Sequence, residues 1–360
     1  MAIALVMVQH MFQRTPKGQL LADDVVFALA NRCWMGVDLF FVLSGFLITG
    51  ILWRAKGQCH YFRNFYMRRT LRIFPAYYLL LAVFFVVLPL FAIPAVTEYL
   101  SDSRADAIWH WTYLSNLRIA WRGDWYNEHI PNVFWSLAIE EQFYLIWPAV
   151  VLLFSRTRML IVCSLLFLTA VVFRWVLATQ PDVTWVTSFV LPPARMDGLV
   201  LGSLLAILFQ TNLRMSLSFR RLVQVVGIIA LIGLAYLMSQ RPTGWRDMPI
   251  QSLRFSAVAL VSGALVWTCM ASTDNSWLKR FFSLGVMRFL GKYSYSLYLW
   301  HGPADALVRH FYQPGPGLGG SSLPSQFVFI LATFSVSISA TLLSWHLLEK
   351  HCLRLKEKYA

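Results

Sequence analysis

Apolar runs of about 20 residues recur along the chain, separated by short basic or aromatic connections. Seven are unbroken, at about 34–53, 73–93, 133–154, 159–178, 222–239, 252–271 and 326–348. Two more are long enough but spotted with polar residues: 186–209, interrupted by Pro192 and Pro193, and 288–312. The chain also opens on an apolar run, Met1 to Phe12. About 20 helical residues cross the roughly 30 Å hydrocarbon core of a bilayer. The pattern therefore predicts an all-α, polytopic membrane bundle of about ten helices, with both termini on one side. Residues 1–348 form one membrane domain, followed by a short cytoplasmic tail, 349–360.

Composition supports this. The chain is 58% hydrophobic and only 13% charged, and its mean hydropathy is +0.57, values that exclude a water-soluble globule and a disordered chain alike. The net charge of +14 needs a different account, because the basic residues lie between apolar segments and build no continuous basic face. Nucleic-acid binding is excluded on that ground. Nineteen of the 31 Lys and Arg fall in alternate connections, on the side of segment 54–72. By the positive-inside tendency that side is cytoplasmic. The opposite connections carry Asp23, Asp24, Glu98, Asp102, Asp106, Asp124 and Glu128. Of the five cysteines only Cys33 falls on the oxidising face, and no His/Cys spacing suits zinc, so neither a disulfide framework nor a metal is expected.

Ionisable side chains inside a bilayer cost several kcal/mol unless paired or hydrated. Here they are His10, Asp38, Glu140, Glu141, Arg174, Arg195, Asp197, His301, Asp305 and His346. Their distances from the span ends place all but His346 toward the outer half, on six or more helices. Two readings follow: a hydrated cavity opening outward, or a set of ion pairs tying helices together. Glu140 and Glu141, about 100° apart on one helix, cannot face the same way. One would point into the cavity and the other pair with Arg195 or Arg174, or cap a nearby backbone. Tyr144 and Trp147 extend one polar-aromatic face of that helix.

The opposite mouth reads Tyr61-Phe-Arg-Asn-Phe-Tyr-Met-Arg68-Arg69-Thr-Leu-Arg72-Ile-Phe-Pro75, with no acid. Such loops orient helices and attract anionic lipid. Arg69 and Arg72 are also one helical turn apart, a spacing suited to gripping phosphates with two guanidinium forks. The outer segment 95–132 holds Trp109, Trp111, Tyr113, Trp121, Trp125 and Tyr126, which suit either a sugar-stacking platform or an interfacial aromatic belt.

Five blocks, in order, resemble the acyltransferase-3 family of integral-membrane O-acyltransferases, and the match covers nearly the whole chain. They are Gly36-Val-Asp-Leu-Phe-Phe-Val-Leu-Ser-Gly-Phe-Leu-Ile48, Phe65-Tyr-Met-Arg-Arg-Thr-Leu-Arg-Ile-Phe-Pro-Ala-Tyr-Tyr78, Trp135-Ser-Leu-Ala-Ile-Glu-Glu-Gln-Phe-Tyr144, Arg195-Met-Asp-Gly-Leu-Val-Leu-Gly202 and Leu290-Gly-Lys-Tyr-Ser-Tyr-Ser-Leu-Tyr-Leu-Trp-His301. The resemblance implies a ten-helix fold. It also implies transfer of an acyl group, usually acetyl, from cytoplasmic acyl-CoA to a hydroxyl of a surface or secreted glycan or glycolipid. It assigns an Arg-x-x-Arg pair to the donor end, matched by Arg69 and Arg72 with Arg68 alongside. It gives essential work to a histidine near the outer end of helix one, matched by His10.

A sugar hydroxyl is a poor nucleophile, and neutral imidazole near pH 7 can take its proton as it attacks a thioester. A carboxylate, Asp38, Glu140 or Glu141, would orient the ring. Trp135, Tyr144, Arg195, Asp197 and His301 are the candidate substrate contacts. The expected partners are the glycan acceptor, membrane lipids and separate envelope-biosynthesis proteins, in the inner membrane of a bacterial cell. In one respect the chain departs from the family. The pattern places an Arg upstream of the histidine, at a position just ahead of Met1. Met1 to Phe12 is also only about 18 Å long as helix, so the first helix reads as truncated. Two other readings remain open at this level: a non-catalytic transporter of an acylated or anionic solute, and an inactive truncated relative.

Overall fold

The computed structural model describes residues 1–13, 15–91, 100–127, 129–211, 216–240 and 248–359. Glu98 and Glu128, two of the expected outer acids, lie outside them. Among the described residues there is no strand, and eight helices are long and apolar enough to cross a membrane. The chain is an integral membrane protein built as a polytopic helical bundle.

The helices that build the site are α1 (Ala2–Gln13), α2 (Leu21–Asn31), α3 (Met35–Ala55), α4 (Tyr61–Ala82), α5 (Phe134–Leu153), α6 (Arg156–Ala178), α7 (Trp185–Val190), α8 (Pro192–Phe209), α9 (Leu217–Ser239), α10 (Met248–Ala271), α11 (Ser294–Phe311), α12 (Leu323–Ser344) and α13 (Lys350–Leu355). The expected first and ninth segments are helical, as α1 and α11, but fall outside the eight. α1 has only 12 residues, and α11 carries His301, Asp305 and Arg309.

Two expected connections and the expected tail turn out to be helix. The basic stretch before residue 73 is the opening of α4, so Arg68, Arg69 and Arg72 sit on a fixed helical face. The stretch before residue 34 is α2, which runs through a short 3-10 turn into α3. Phe27 and Ala30 of α2 pack on Phe12, and the buried Asp23 ties α2 to the start of α12 by accepting from the Ser322 backbone N–H at 2.8 Å and the Ser322 hydroxyl at 2.9 Å. The tail, finally, folds as α13 and a 3-10 turn, Lys356–Tyr359, against α4.

Close packing at small residues holds the centre. α3 and α8 touch backbone to backbone, because a Cβ on Gly45 would overlap the Leu199 carbonyl and one on Gly202 the Val42 carbonyl. The Thr49 hydroxyl donates to Ser203 across the same contact, at 2.8 Å. Without water between helices, such approach and such bonds supply the association energy. α6 and α10 complete this half. α9 packs on α10 and turns Val225, Ile228, Ile229 and Ile232 outward, the surface lipid requires. α11 and α12 pair beside α1 in the other half.

α1 lies along α2 and only the first turns of α3: Phe12 meets Phe27 edge-on at 4.9 Å, and the Ala2 carbonyl lies against Gly36. Beyond Gly36, Val37, Phe40, Leu43 and Ser44 of α3 line a cavity together with Met1, Ala2 and Ile3.

Candidate active site

Two cavities meet inside the bundle. They have nearly equal volume, about 530 and 520 Å³, and they share two wall residues, Val37 and Tyr298.

The first is aromatic. Trp34, Trp125, Tyr126, Trp135, Trp185, Phe189, Phe255 and Tyr298 line it, with Gln9, His10, Gln13, Asn132 and Arg254 as its polar groups and no carboxylate among the described residues. The rings interlock: Trp135 and Phe189 lie 4.9 Å apart, Trp34 and Phe255 5.4 Å, and Trp125 and Phe189 5.8 Å. Behind them sits the fully buried Arg195, its guanidinium 4.1 Å from the Phe255 ring centre and 5.0 Å from that of Phe189. Such a cation orders the rings through their negative faces.

The rim is fixed by a polar network in the segment before α5. Asp106 accepts from Arg118 at 2.8 Å and from the Tyr126 hydroxyl at 3.1 Å. Arg122 binds both carboxylate oxygens of Asp102 and lies 4.5 Å over the Tyr126 ring. Burial acts to raise the Asp106 carboxyl, but the bond and charge of Arg118, with Tyr126 and Arg122, outweigh it and hold the group below the usual carboxylate range. His110 is enclosed nearby, stacked on Phe85 at 5.5 Å, and its ring nitrogens have no hydrogen-bond partner among the described residues. Burial pushes its imidazole down to about 4, against the pull of Asp106.

His10 stands in the aromatic wall with its ring edge to edge with that of His301, nearly parallel at 6° with centroids 5.0 Å apart. Its Nδ1 lies 2.8 Å from His301 Nε2, and His301 Nδ1 lies 2.6 Å from the Tyr298 carbonyl. A carbonyl only accepts, so His301 Nδ1 must carry a proton. In the neutral pair His301 Nε2 therefore accepts from His10 Nδ1–H, and Nε2 becomes the basic nitrogen of His10. The last turn of α1 is pinned at the Met11 carbonyl, which accepts from Arg309 at 2.8 Å and Gln326 at 3.0 Å, while Arg309 is paired to Asp305 at 3.0 Å. In this contact the partner of the His10 ring is a second histidine, and the expected carboxylates lie elsewhere, Glu140 and Glu141 in the other cavity and Asp38 against Arg195.

The second cavity is basic at one end. Arg69, Arg72 and Lys356 line it, with Val37, Phe40, Leu43, Ser44, Leu47, Ile48 and Ile51 of α3 forming one wall. These seven recur at helical spacing, and 14 residues of rise give the cavity a depth of about 21 Å. Glu140, Glu141 and Tyr144 line this cavity, not the aromatic one. Tyr144 donates to Glu140 at 2.8 Å. Arg68 stands outside the lining, its buried Nε without a hydrogen-bond partner among the described residues.

The expected pairing of a glutamate with Arg195 or Arg174 is corrected. Arg195 binds Asp38 at 2.9 Å, and Arg174 binds Asp197 at 2.9 Å, with Ser252, Ser256 and the Ala194 carbonyl completing its bonds. The close α3–α8 contact decides this, because it sets Asp38 against Arg195 before any α5 carboxylate can reach. Asp38, Arg195 and Asp197 lie in these buried pairs, outside both cavity linings, and the single outward cavity of the sequence reading is replaced by two. Of the expected substrate contacts Trp135 lines the aromatic cavity, Tyr144 the basic one, and His301 backs His10. Of Trp109, Trp111, Tyr113, Trp121, Trp125 and Tyr126, the last two line the aromatic cavity and the others line neither cavity. Trp34, Trp185, Phe189, Phe255 and Lys356 were missed. The only local signal for any of them is the one-turn spacing of Trp185 and Phe189.

Chemically, one cavity offers stacking faces and a supported imidazole base, and the other a deep apolar shaft with cations at its end. A family model described as an acyltransferase domain matches residues 1–348. Among curated relatives, the peptidoglycan O-acetyltransferase OatA of Listeria monocytogenes is 31% identical over 347 residues, covering 88% of this chain and 52% of the relative. The putative peptidoglycan O-acetyltransferase YrhL of Bacillus subtilis is 32% identical over 347 residues, covering 90% and 51%. The O-acetyltransferase OatA of Staphylococcus aureus is 30% identical over 293 residues, covering 78% and 47%. The chain spans about half the length of these relatives. No solved structure matches it.

Proposed function

The chain belongs to the acyltransferase-3 family, and from that premise we propose that it moves an acetyl group from acetyl-CoA in the basic cavity to a hydroxyl of a peptidoglycan-type glycan in the aromatic cavity. The observation that carries this reading is the meeting of the two cavities at Val37 and Tyr298, with His10 in the aromatic wall. A thioester arm in the shaft brings its carbonyl to that junction while the nucleotide stays at the cations. Aromatic faces with amide side chains suit a sugar ring, and the printed names of the relatives supply the glycan class.

In the reaction His10 Nε2 takes the proton of the glycan hydroxyl as its oxygen attacks the thioester carbonyl. The tetrahedral intermediate collapses to the ester and the CoA thiolate, which leaves with a proton from solvent or the imidazolium. His301 and the Tyr298 carbonyl spread the charge that His10 acquires. The basic end faces the cytoplasm of a bacterial inner membrane, and the aromatic cavity faces the envelope, consistent with the basic connections on that side.

The test uses membrane vesicles carrying the full chain, acetyl-labelled acetyl-CoA and glycan strands, with base-labile label on glycan as readout. Wild type is expected to transfer label, and His10→Ala to lose on the order of 10²–10⁴-fold, the range for a general base. Full activity of His10→Ala overturns the role of His10. No transfer by verified wild-type protein overturns the reading as a whole.

A further inference from the structure

The C-terminal segment returns to the bundle. At its root the buried Glu349 accepts from the Ser296 hydroxyl at 2.7 and 2.6 Å and from Ser344 at 2.9 Å. From there α13 and the following 3-10 turn pack along α4, and the Arg63 guanidinium lies 6.0 Å over the Tyr359 ring. This return carries Lys356 into the wall of the basic cavity, opposite Arg69 and Arg72.

Arg69, Arg72 and Lys356 are thereby gathered at one cavity end with Arg68 outside its lining, and none of the four forms an ion pair within 4.0 Å among the described residues. Burial, then the charges of Arg72, Arg69 and Arg68, press the Lys356 ammonium below its usual range. The acids nearest these cations are Glu140 and Glu141 in the same lining and Glu349 near Arg72, none of them within ion-pair distance, so an entering anion gains charge-assisted partners that the protein's own carboxylates do not occupy. Two guanidinium forks one turn apart suit a single phosphate group, and a compact ammonium suits a second point charge. A coenzyme A thioester presents phosphate at two places, its diphosphate and its ribose phosphate.

We propose that Lys356 is a donor-binding residue, its ammonium holding a phosphate of the acyl-CoA nucleotide beside Arg69 and Arg72, so that the folded-back tail forms one wall of the donor site. This rests on the basic cavity being the donor site. An anionic lipid headgroup offers the same chemistry, and the test separates the two.

CoA binding is measured on the full chain in nanodiscs of zwitterionic lipid, together with acetyl transfer from acetyl-CoA and from S-acetyl-pantetheine, which has no phosphate. Lys356→Gln is expected to weaken CoA binding and raise the acetyl-CoA KM about tenfold, with kcat retained, and Lys356→Arg to restore both. With S-acetyl-pantetheine, Lys356→Gln is expected to match wild type. Unchanged CoA affinity, or an equal loss with S-acetyl-pantetheine, overturns the role of Lys356 while leaving the cavity as donor site. A defect confined to discs containing anionic lipid assigns Lys356 to a headgroup and overturns it too. Failure of wild type to bind CoA at all removes the donor reading beneath it.

Discussion

The two cavities differ in how the chain builds them. The basic cavity takes one face of α3 from Val37 to Ile51 and one face of α4 with Arg69 and Arg72, and is closed by residues of α1, α5, α11 and the C-terminal 3-10 turn. The aromatic cavity draws its rings from α5, α7, α10, the 3-10 turn before α3 and the segment before α5. They are of equal size and share two residues, so lining chemistry alone distinguishes them. The difference teaches that a basic face such as Arg69 with Arg72 can follow from one helical period, whereas the ring-lined cavity, like the placing of Lys356 beside that face, needs several elements held in register. Arg195 holds that register. Its ion pair with Asp38 joins α3 to α8, and its other side orders three rings of the wall.

The comparison is broken most severely at that pair. Arg195→Met leaves Asp38 buried without its partner and is expected to cost about 3–5 kcal/mol of stability, read by thermal unfolding in detergent. Asp38→Leu combined with Arg195→Met is expected to recover most of that loss, and a double variant as unstable as the single would show that ring packing, not the charge, is decisive. A crossed pair sharpens the contrast. Arg72→Ala is expected to raise the acetyl-CoA KM about tenfold with the glycan KM unchanged. Trp185→Ala is expected to raise the glycan KM by about fivefold, the worth of one aromatic contact near 1 kcal/mol, and to leave the donor KM alone. Both variants shifting both constants would mean that the cavities do not act separately.

A further effect concerns pH, and it touches only the aromatic side. His110 is buried with its imidazole at about 4, below the ordinary value near 6.5 in the unfolded chain. The unfolded state therefore binds the extra proton first as pH falls. Stability is full above about pH 6.5 and is lost between there and about pH 4, by on the order of 3 kcal/mol. His110→Phe, which keeps a ring against Phe85 and Phe134, is expected to flatten that slope in unfolding curves taken from pH 7 to pH 4. An unchanged slope would place the acid sensitivity elsewhere in the segment.

Much of this protein was legible in its residues. Apolar length and low charge dictate a helical membrane bundle, because a backbone in lipid must satisfy its own hydrogen bonds. The pairing of Arg69 with Arg72 was legible because 3.6-residue periodicity is a local property, and the five ordered blocks carried the family. The expected glutamate–arginine pairing failed because partner choice depends on which helices touch, and Gly45 and Gly202 press α3 and α8 together before α5 can compete. The division of one imagined cavity into two, the pairing of His10 with His301, the aromatic cup and the return of Lys356 were decided only by the tertiary structure. Each joins residues from separate helices or chain segments, and the relative rotation and depth of those elements follow from packing that no local period encodes.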